Sequence, residues 1–166
     1  VAVREAEFDL PDGHTLLMPV ATETGAGIFG LGSYAGCSRR LAALSWGAED
    51  LSADIGAQAN RDADGLFTEP FRLARSLLLF AASAAGVAAI DTVYTRLKDE
   101  DGLDRECQEA VRDGFTGKLA IHPAQIPVIH ARFTPSPEAL AEARQIVEAF
   151  AADDSEDLRA GDRQLC

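Results

Sequence analysis

Two stretches decide how this chain is read: Leu16-Leu17-Met18-Pro19-Val20-Ala21-Thr22-Glu23-Thr24-Gly25-Ala26-Gly27 and Leu41-Ala42-Ala43-Leu44-Ser45-Trp46-Gly47-Ala48-Glu49-Asp50. Each is a short apolar run that closes on glycine and a carboxylate. Near-continuous apolar runs of this length fit strands of a parallel sheet covered on both faces. Parallel α/β folds bind ligands at the carboxyl ends of their strands, so Glu23 and Asp50 are expected to converge on one site. Two ionised carboxylates in a partly dry pocket repel each other, which calls for a shared proton or a cation. Hard oxygen donors without a thiolate or imidazole beside them point to Mg²⁺. The same acids also read as local caps, Glu23 of a turn and Asp50 of a helix beginning near Leu51.

The 166 residues suffice for one ordinary domain with a real core. An apolar fraction of 47% against 25% charged is that of a globular chain. A formal charge of −12 argues against broad nucleic-acid binding, because a phosphate backbone needs a basic face. Cys37, Cys107 and Cys166 lack metal-ligand spacing and read as free thiols of a reducing compartment. The opening Val1-Ala2-Val3-Arg4-Glu5 lacks the apolar core of a signal peptide, and Leu77 to Ala82 is too short an apolar run to span a bilayer. No membrane role and a cytoplasmic location are therefore expected.

Working outward, residues 1–13 read as the tail of a helix and a turn at Pro11-Asp12-Gly13. Gly25, Gly27 and Gly30 form a GxGxxG pattern after the first strand, the mark of a dinucleotide-binding module. That reading needs a long helix packed on the sheet, and Gly30, Gly32 and Gly36 keep interrupting one, at about 1 kcal/mol each relative to alanine. Glu69-Pro70 opens a helix that ends before Gly86, apolar nearly all round from Leu77 to Ala85 and so expected to be buried on more than one side. Gly86 to Ile90 is the third strand, ending in Asp91. Lys98 to Gly102 reads as a solvated loop, and Asp104 to Arg112 as a helix with Leu103, Cys107, Ala110 and Val111 inward. Lys118 to Ile121 is the fourth strand, running into His122-Pro123. Helices follow at 124–131 and 136–151, the second opened by Ser136-Pro137-Glu138, and Asp153 to Gly161 reads as an acidic loop. Strand and helix alternate throughout, which is the grammar of a parallel sheet. Four such units make half of an eightfold barrel, whose usual length is roughly 250 residues.

The segment Gly114-Phe115-Thr116-Gly117-Lys118-Leu119-Ala120-Ile121-His122-Pro123-Ala124-Gln125-Ile126 closely resembles the GF-x-GK-x-x-IHP-x-QI signature of the citrate lyase β-subunit-like group in the HpcH/HpaI aldolase superfamily. Thr22-Glu23-Thr24, Trp46-Gly47-Ala48-Glu49-Asp50-Leu51 and Ala89-Ile90-Asp91-Thr92-Val93-Tyr94 resemble that family's segments after strand five, after strand six and at strand seven. The resemblance runs from about Leu16 to Phe150. It implies an α/β (β/α)₈ TIM barrel, of which this chain carries about strands five to eight. Residues 1–151 are then the C-terminal half of a lyase domain, and residues 152–166 the start of a C-terminal lid. The resemblance also implies that both ends are cut. The family's substrate-binding arginine lies on the absent half, and the acid that reaches a neighbouring subunit's site would follow Cys166.

By the same resemblance Glu23 and Asp50 hold Mg²⁺ and Glu23 also meets substrate, while Asp91 and His122 stand at strand ends where they could touch substrate or orient the metal ligands. Asp91 also reads as a loop cap, His122 as a hydrogen-bonded hinge, and Lys118 equally as an ion-pair partner or a ligand for CoA phosphates. The implied activity is Mg²⁺-dependent cleavage or formation of a carbon–carbon bond in a CoA thioester of citryl, malyl or citramalyl type. The products are acetyl-CoA or a related thioester and a 2-oxo acid, in a homo-trimer or hexamer. Three readings stand beside it: a CoA-independent class II aldolase releasing pyruvate, the dinucleotide module, and a non-catalytic accessory subunit.

Overall fold

In the structure, a computed structural model that describes the backbone of residues 1–161 and the side chains of residues 1–150, three parallel strands pair in chain order. They are β1 (Ala43–Ser45), β2 (Ala88–Asp91) and β3 (Gly117–Lys118), with Ala43 opposite Ala88 and Asp91 opposite Lys118. The alternation of strand and helix in the sequence requires such parallel neighbours, because a strand cannot turn directly into a parallel partner.

The expected first strand lies on the free side of β1 but is not regular. Two isolated parallel bridges, Leu17 with Leu41 and Val20 with Ser45, hold it there. The bridges are three residues apart along one segment and four along the other, so one extra residue bulges on the lead-in to β1. Pro19 sits between them and has no N–H to give to a ladder. Its neighbours Leu16, Met18 and Val20 are exposed, whereas β1 is buried throughout. Cover on both faces therefore holds for β1 and fails for Leu16–Val20.

Helix α1 (Ala2–Glu7) is tied to this edge by a buried acid. Glu5 accepts from the Gly13 and Thr15 amides and pairs with Arg40 at 2.6 Å, which holds its carboxyl well below the usual range. The glycine-rich stretch forms only α2 (Gly25–Phe29) and a 3-10 turn, Leu31–Tyr34. The long packed helix that a dinucleotide fingerprint requires is not formed there. After β1 comes α3 (Ala48–Asp54), then α4 (Glu69–Ala85), which carries Pro70 in its first turn and stops at Gly86 with φ 67°.

Phe71, Ala74, Leu78 and Ala82 of α4 recur at helical spacing and pack with Leu44 and Trp46 of β1 and Leu51 of α3. Burying each large side chain of this set is worth about 1.5–3 kcal/mol. Contrary to expectation α4 buries one stripe only, and Leu73 and Phe80 are 59% and 64% exposed. Helix α5 (Glu100–Asp113) starts earlier than its apolar pattern suggests, because Asp99 caps it by accepting from the Gly102 amide. Its inner face includes Glu106 in place of Val111. A 3-10 turn at Pro123–Gln125 leads into α6 (Ile126–Phe133).

These elements form one compact unit, Val1–Phe133, and a second unit begins at Thr134. The second carries α7 (Pro137–Gly161), which remains helical through the stretch expected to be an acidic loop. The expected lid, residues 152–166, lies outside the described side chains, and residues 162–166, including Cys166, lie outside the described residues altogether.

Candidate metal centre

Glu23 and Asp50 lie at one corner of the sheet, where residues 21–25 run alongside the start of α3. Ala21 donates its amide to the Ser45 carbonyl at 2.7 Å, the last ladder bond before the acid. Thr22, fully buried, then accepts the Gly47 amide on its hydroxyl at 3.3 Å. Glu23 lies over Gly47, the N-cap of α3: a Cβ on that glycine would stand 3.1 Å from Glu23 Cγ. Asp50 belongs to the first turn of α3, where a negative charge also complements the helix dipole. One turn further along, Asp54 Oδ2 accepts the Gly25 amide at 2.8 Å. Residues four apart share a helix face, so Asp50 is on the side of α3 that meets residues 23–25.

The four acids of this corner divide into two kinds. Glu49 accepts from Asn60 Nδ2 at 2.9 Å and Asp54 from Gly25, so both are engaged. Among the described residues Glu23 and Asp50 make neither a side-chain hydrogen bond nor an ion pair, and both are exposed. Two carboxylates with open lone pairs are a donor set for a hard cation that keeps part of its water shell, as Mg²⁺ does. Among the described residues no three His, Cys, Asp or Glu side chains group into a metal cage, which is the arrangement a structural zinc would need.

The other candidates stand elsewhere. His122 caps the 3-10 turn, its Nδ1 accepting from the Ala124 amide at 3.1 Å, which is the hinge role read from the sequence. Asp91 is wholly buried, accepts from Trp46 Nε1 at 2.6 Å and pairs with Lys118 at 3.2 Å and Arg75 at 3.3 Å. Burial opposes its charge, but the cations Lys118 and Arg75 outweigh that and hold its carboxyl below the usual aspartate range. Lys118 also reaches Glu106 at 2.7 Å, and Glu106 reaches Arg61 at 2.8 Å. The lysine is thus an ion-pair partner in the interior. Sequence reading missed Arg61, Arg75 and Glu106; the one available signal was Glu106 at helical spacing from Leu103 on the buried face of α5. A cavity of about 350 Å³ opens between α4, α5 and residues 61–67, but the ion pairs of Arg61, Arg75 and Glu106 form its walls and neither Glu23 nor Asp50 lines it.

Residues 3–123 match the family described as HpcH/HpaI aldolase/citrate lyase. The chain belongs to that family. Over 110 residues this HpcH/HpaI chain is 44% identical to the mitochondrial citramalyl-CoA lyase of Rattus norvegicus, across 66% of the chain and 31% of that protein. The citrate lyase beta subunit of M. tuberculosis, solved with oxaloacetate and magnesium, superposes with a TM-score of 0.66 at 36% identity, over 72% of this chain and 52% of that one. Protein CitE of Mycobacterium tuberculosis, solved with magnesium, acetoacetate and coenzyme A, does so with a TM-score of 0.63 at 32% identity, over 92% and 64%. The chain therefore spans about a third of the rat protein and between half and two thirds of the solved ones. Its fold is the mixed α/β, TIM-barrel-like fold of the HpcH/HpaI family, represented by parallel segments that pair in chain order without the reversal a doubly wound sheet shows.

Proposed function

We propose that this chain supplies the metal-holding part of a Mg²⁺-dependent carbon–carbon lyase that acts on the CoA thioester of a hydroxy acid. The observation that carries the proposal is the pair of exposed, unengaged carboxylates, Glu23 and Asp50, at adjacent strand ends while every other acid of that corner is engaged. Glu23 and Asp50 would hold the ion, which when bound supplies a Lewis acid for the oxo and carboxylate oxygens of the acid fragment. Glu23, exposed above Gly47, would also meet that fragment. The names of the similar proteins support the substrate class, since one is a citramalyl-CoA lyase and another was solved with coenzyme A and acetoacetate.

Cleavage in this class breaks the bond between the hydroxyl-bearing carbon and the carbon next to the thioester. The hydroxyl proton goes to a base, the 2-oxo acid departs, and the thioester enolate is protonated to the free thioester. Asp91 is not read as that base, because its buried carboxylate is already neutralised by two cations. A homo-trimer or hexamer is part of this reading, supported by the apolar Leu73 and Phe80 that α4 leaves exposed. A cytoplasmic setting is supported by the free thiols of Cys37 and Cys107. Among the described residues no helix is long and apolar enough to cross a membrane.

The test is product analysis with citryl-, malyl- and citramalyl-CoA in Mg²⁺, alongside Mn²⁺ titration followed by electron paramagnetic resonance. We expect a 2-oxo acid and a shortened thioester from one of the three, and Mn²⁺ binding that Mg²⁺ displaces. Full activity in excess chelator, or Mn²⁺ binding indifferent to Glu23→Gln and Asp50→Asn, overturns the proposal.

A further inference from the structure

We infer that Asp54 and Thr22 are positioning residues that clasp the backbone on either side of Glu23 to α3, and so set its distance from Asp50. This rests on the carboxylate-pair reading above. Thr22, one residue before the acid, receives the amide of Gly47 on its buried hydroxyl. Gly25, two residues after it, gives its amide to Asp54 at 2.8 Å. The peptide carrying Glu23 is therefore bonded to the N-cap of α3 and to its last residue, with Asp50 on the turn between them.

The clasp matters because the other bonds of this segment are local, Thr24 capping α2 by accepting the Gly27 amide at 3.0 Å, and do not tie it to α3. Residues 22–24 belong to no strand, and the run before them is an irregular edge held by two bridges. A small divalent cation tolerates little variation, since Mg²⁺ demands oxygens at about 2.0–2.1 Å in near-octahedral geometry. A loop free to wander would have to be ordered when the ion binds, and that entropy would come off the affinity. The Gly25–Asp54 bond is made to a charged acceptor, which strengthens it over a neutral one. Outer residues of this kind typically change metal affinity about 10- to 100-fold.

The bond can be broken from either end. Asp54→Ala removes the acceptor. Gly25→Pro removes the donor with Asp54 unmutated, its ring turning the carboxylate aside: Gly25 is the first residue of α2, where proline is favoured, and Thr24 before it is already extended at φ −138° and ψ 155°. Gly25→Ala keeps the amide, and its Cβ would lie 3.7 Å from Asp54 Oδ2, an ordinary contact. Two measurements are made on the full chain: Mn²⁺ affinity by electron paramagnetic resonance, and exchange of the residue-25 amide by NMR without metal.

We expect Asp54→Ala and Gly25→Pro each to weaken Mn²⁺ by about 10- to 100-fold, Gly25→Ala to match the wild type, and the double variant to lose no more than either single. Without metal, the Gly25 amide should exchange faster in Asp54→Ala. Wild-type affinity in both Asp54→Ala and Gly25→Pro, while Glu23→Gln and Asp50→Asn still abolish binding, overturns the clasp and leaves the metal pair standing. Loss of effect in Glu23→Gln and Asp50→Asn as well overturns the pair itself.

Discussion

Asp91 and Lys118 face each other across β2 and β3, and the lysine Nζ stands 3.2 Å from the aspartate Oδ2 with both side chains wholly buried. Lys118 keeps Glu106 and Asp91 keeps Arg75 when the other is removed, but the buried network is then one charge out of balance, a cost of up to about 3–5 kcal/mol. Asp91→Ala and Lys118→Met are each expected to lower the unfolding free energy by that order, and the Asp91→Ala/Lys118→Met double variant by less than the sum. Trp46, the only tryptophan, donates to Asp91 and reports the change in urea titrations by fluorescence. Wild-type midpoints in both single variants would show that the pair is not a structural one.

Alkaline pH should destabilise the chain through the same interior. Burial pushes the Cys107 thiol up to about 11. Lys118 is held above its ordinary range by Asp91 and Glu106, against the effect of burial. A folded-state value raised above the unfolded one gives stability that is full below the unfolded value and lost as pH rises through the folded one. The urea midpoint is therefore expected to fall from above the ordinary thiol value, about 8.5, as pH climbs toward 11. Cys107→Ala should flatten the first part of that fall. Asp91 works in the opposite direction: its lowered value gives stability present above the ordinary aspartate range and lost as pH falls through the depressed value.

Two glycines bear on the metal corner by their lack of a side chain. A Cβ at position 27 would stand 2.9 Å from the Ala21 carbonyl oxygen, which the backbone cannot relieve cheaply. Gly27→Ala is expected to cost about 1–3 kcal/mol in urea titrations, despite the roughly 1 kcal/mol that alanine contributes within a helix. A Cβ at position 47 would stand 3.1 Å from both Glu23 Cγ and Val20 Cγ1. Gly47→Ala should turn Glu23 aside and weaken Mn²⁺ binding more than it lowers the melting temperature.

Glu23→Gln and Asp50→Asn should leave the metal-free chain within about 0.5 kcal/mol of wild type, as surface substitutions do. In the wild type, Mg²⁺ at 100 times its dissociation constant should add about 2.7 kcal/mol of stability by mass action. Thermal melts with and without Mg²⁺ measure both effects. A rise that persists in the two variants would place the ion elsewhere.

Cysteine labelling separates exposure from burial. Cys37 is exposed and Cys107 buried, with its thiol held protonated. An alkylating reagent at neutral pH should modify Cys37 in the native chain and reach Cys107 only after urea is added, as peptide mapping by mass spectrometry would show. Native-state labelling of Cys107 would mean that α5 opens away from α6, whose Ile129 packs in the same cluster.

The amino-acid sequence by itself determined the βα alternation, the ends of α4 at Pro70 and Gly86, the acids at the strand ends, and the family through Gly114 to Ile126. These are local signals: a period of two or 3.6 residues, a proline where an amide is dispensable, a glycine where φ is positive, or a contiguous motif. Tertiary structure alone decided that Leu16–Val20 is an irregular edge, that Asp91 is consumed in neutralising Lys118 and Arg75, that Glu106 turns inward, and that Asp54 rather than Asp50 bonds to Gly25. The physical reason is common to the last three. Whether a carboxylate is neutralised, bonded or left open depends on which cations and amides the fold brings within about 3 Å of it, and those partners lie at sequence separations that no local pattern records.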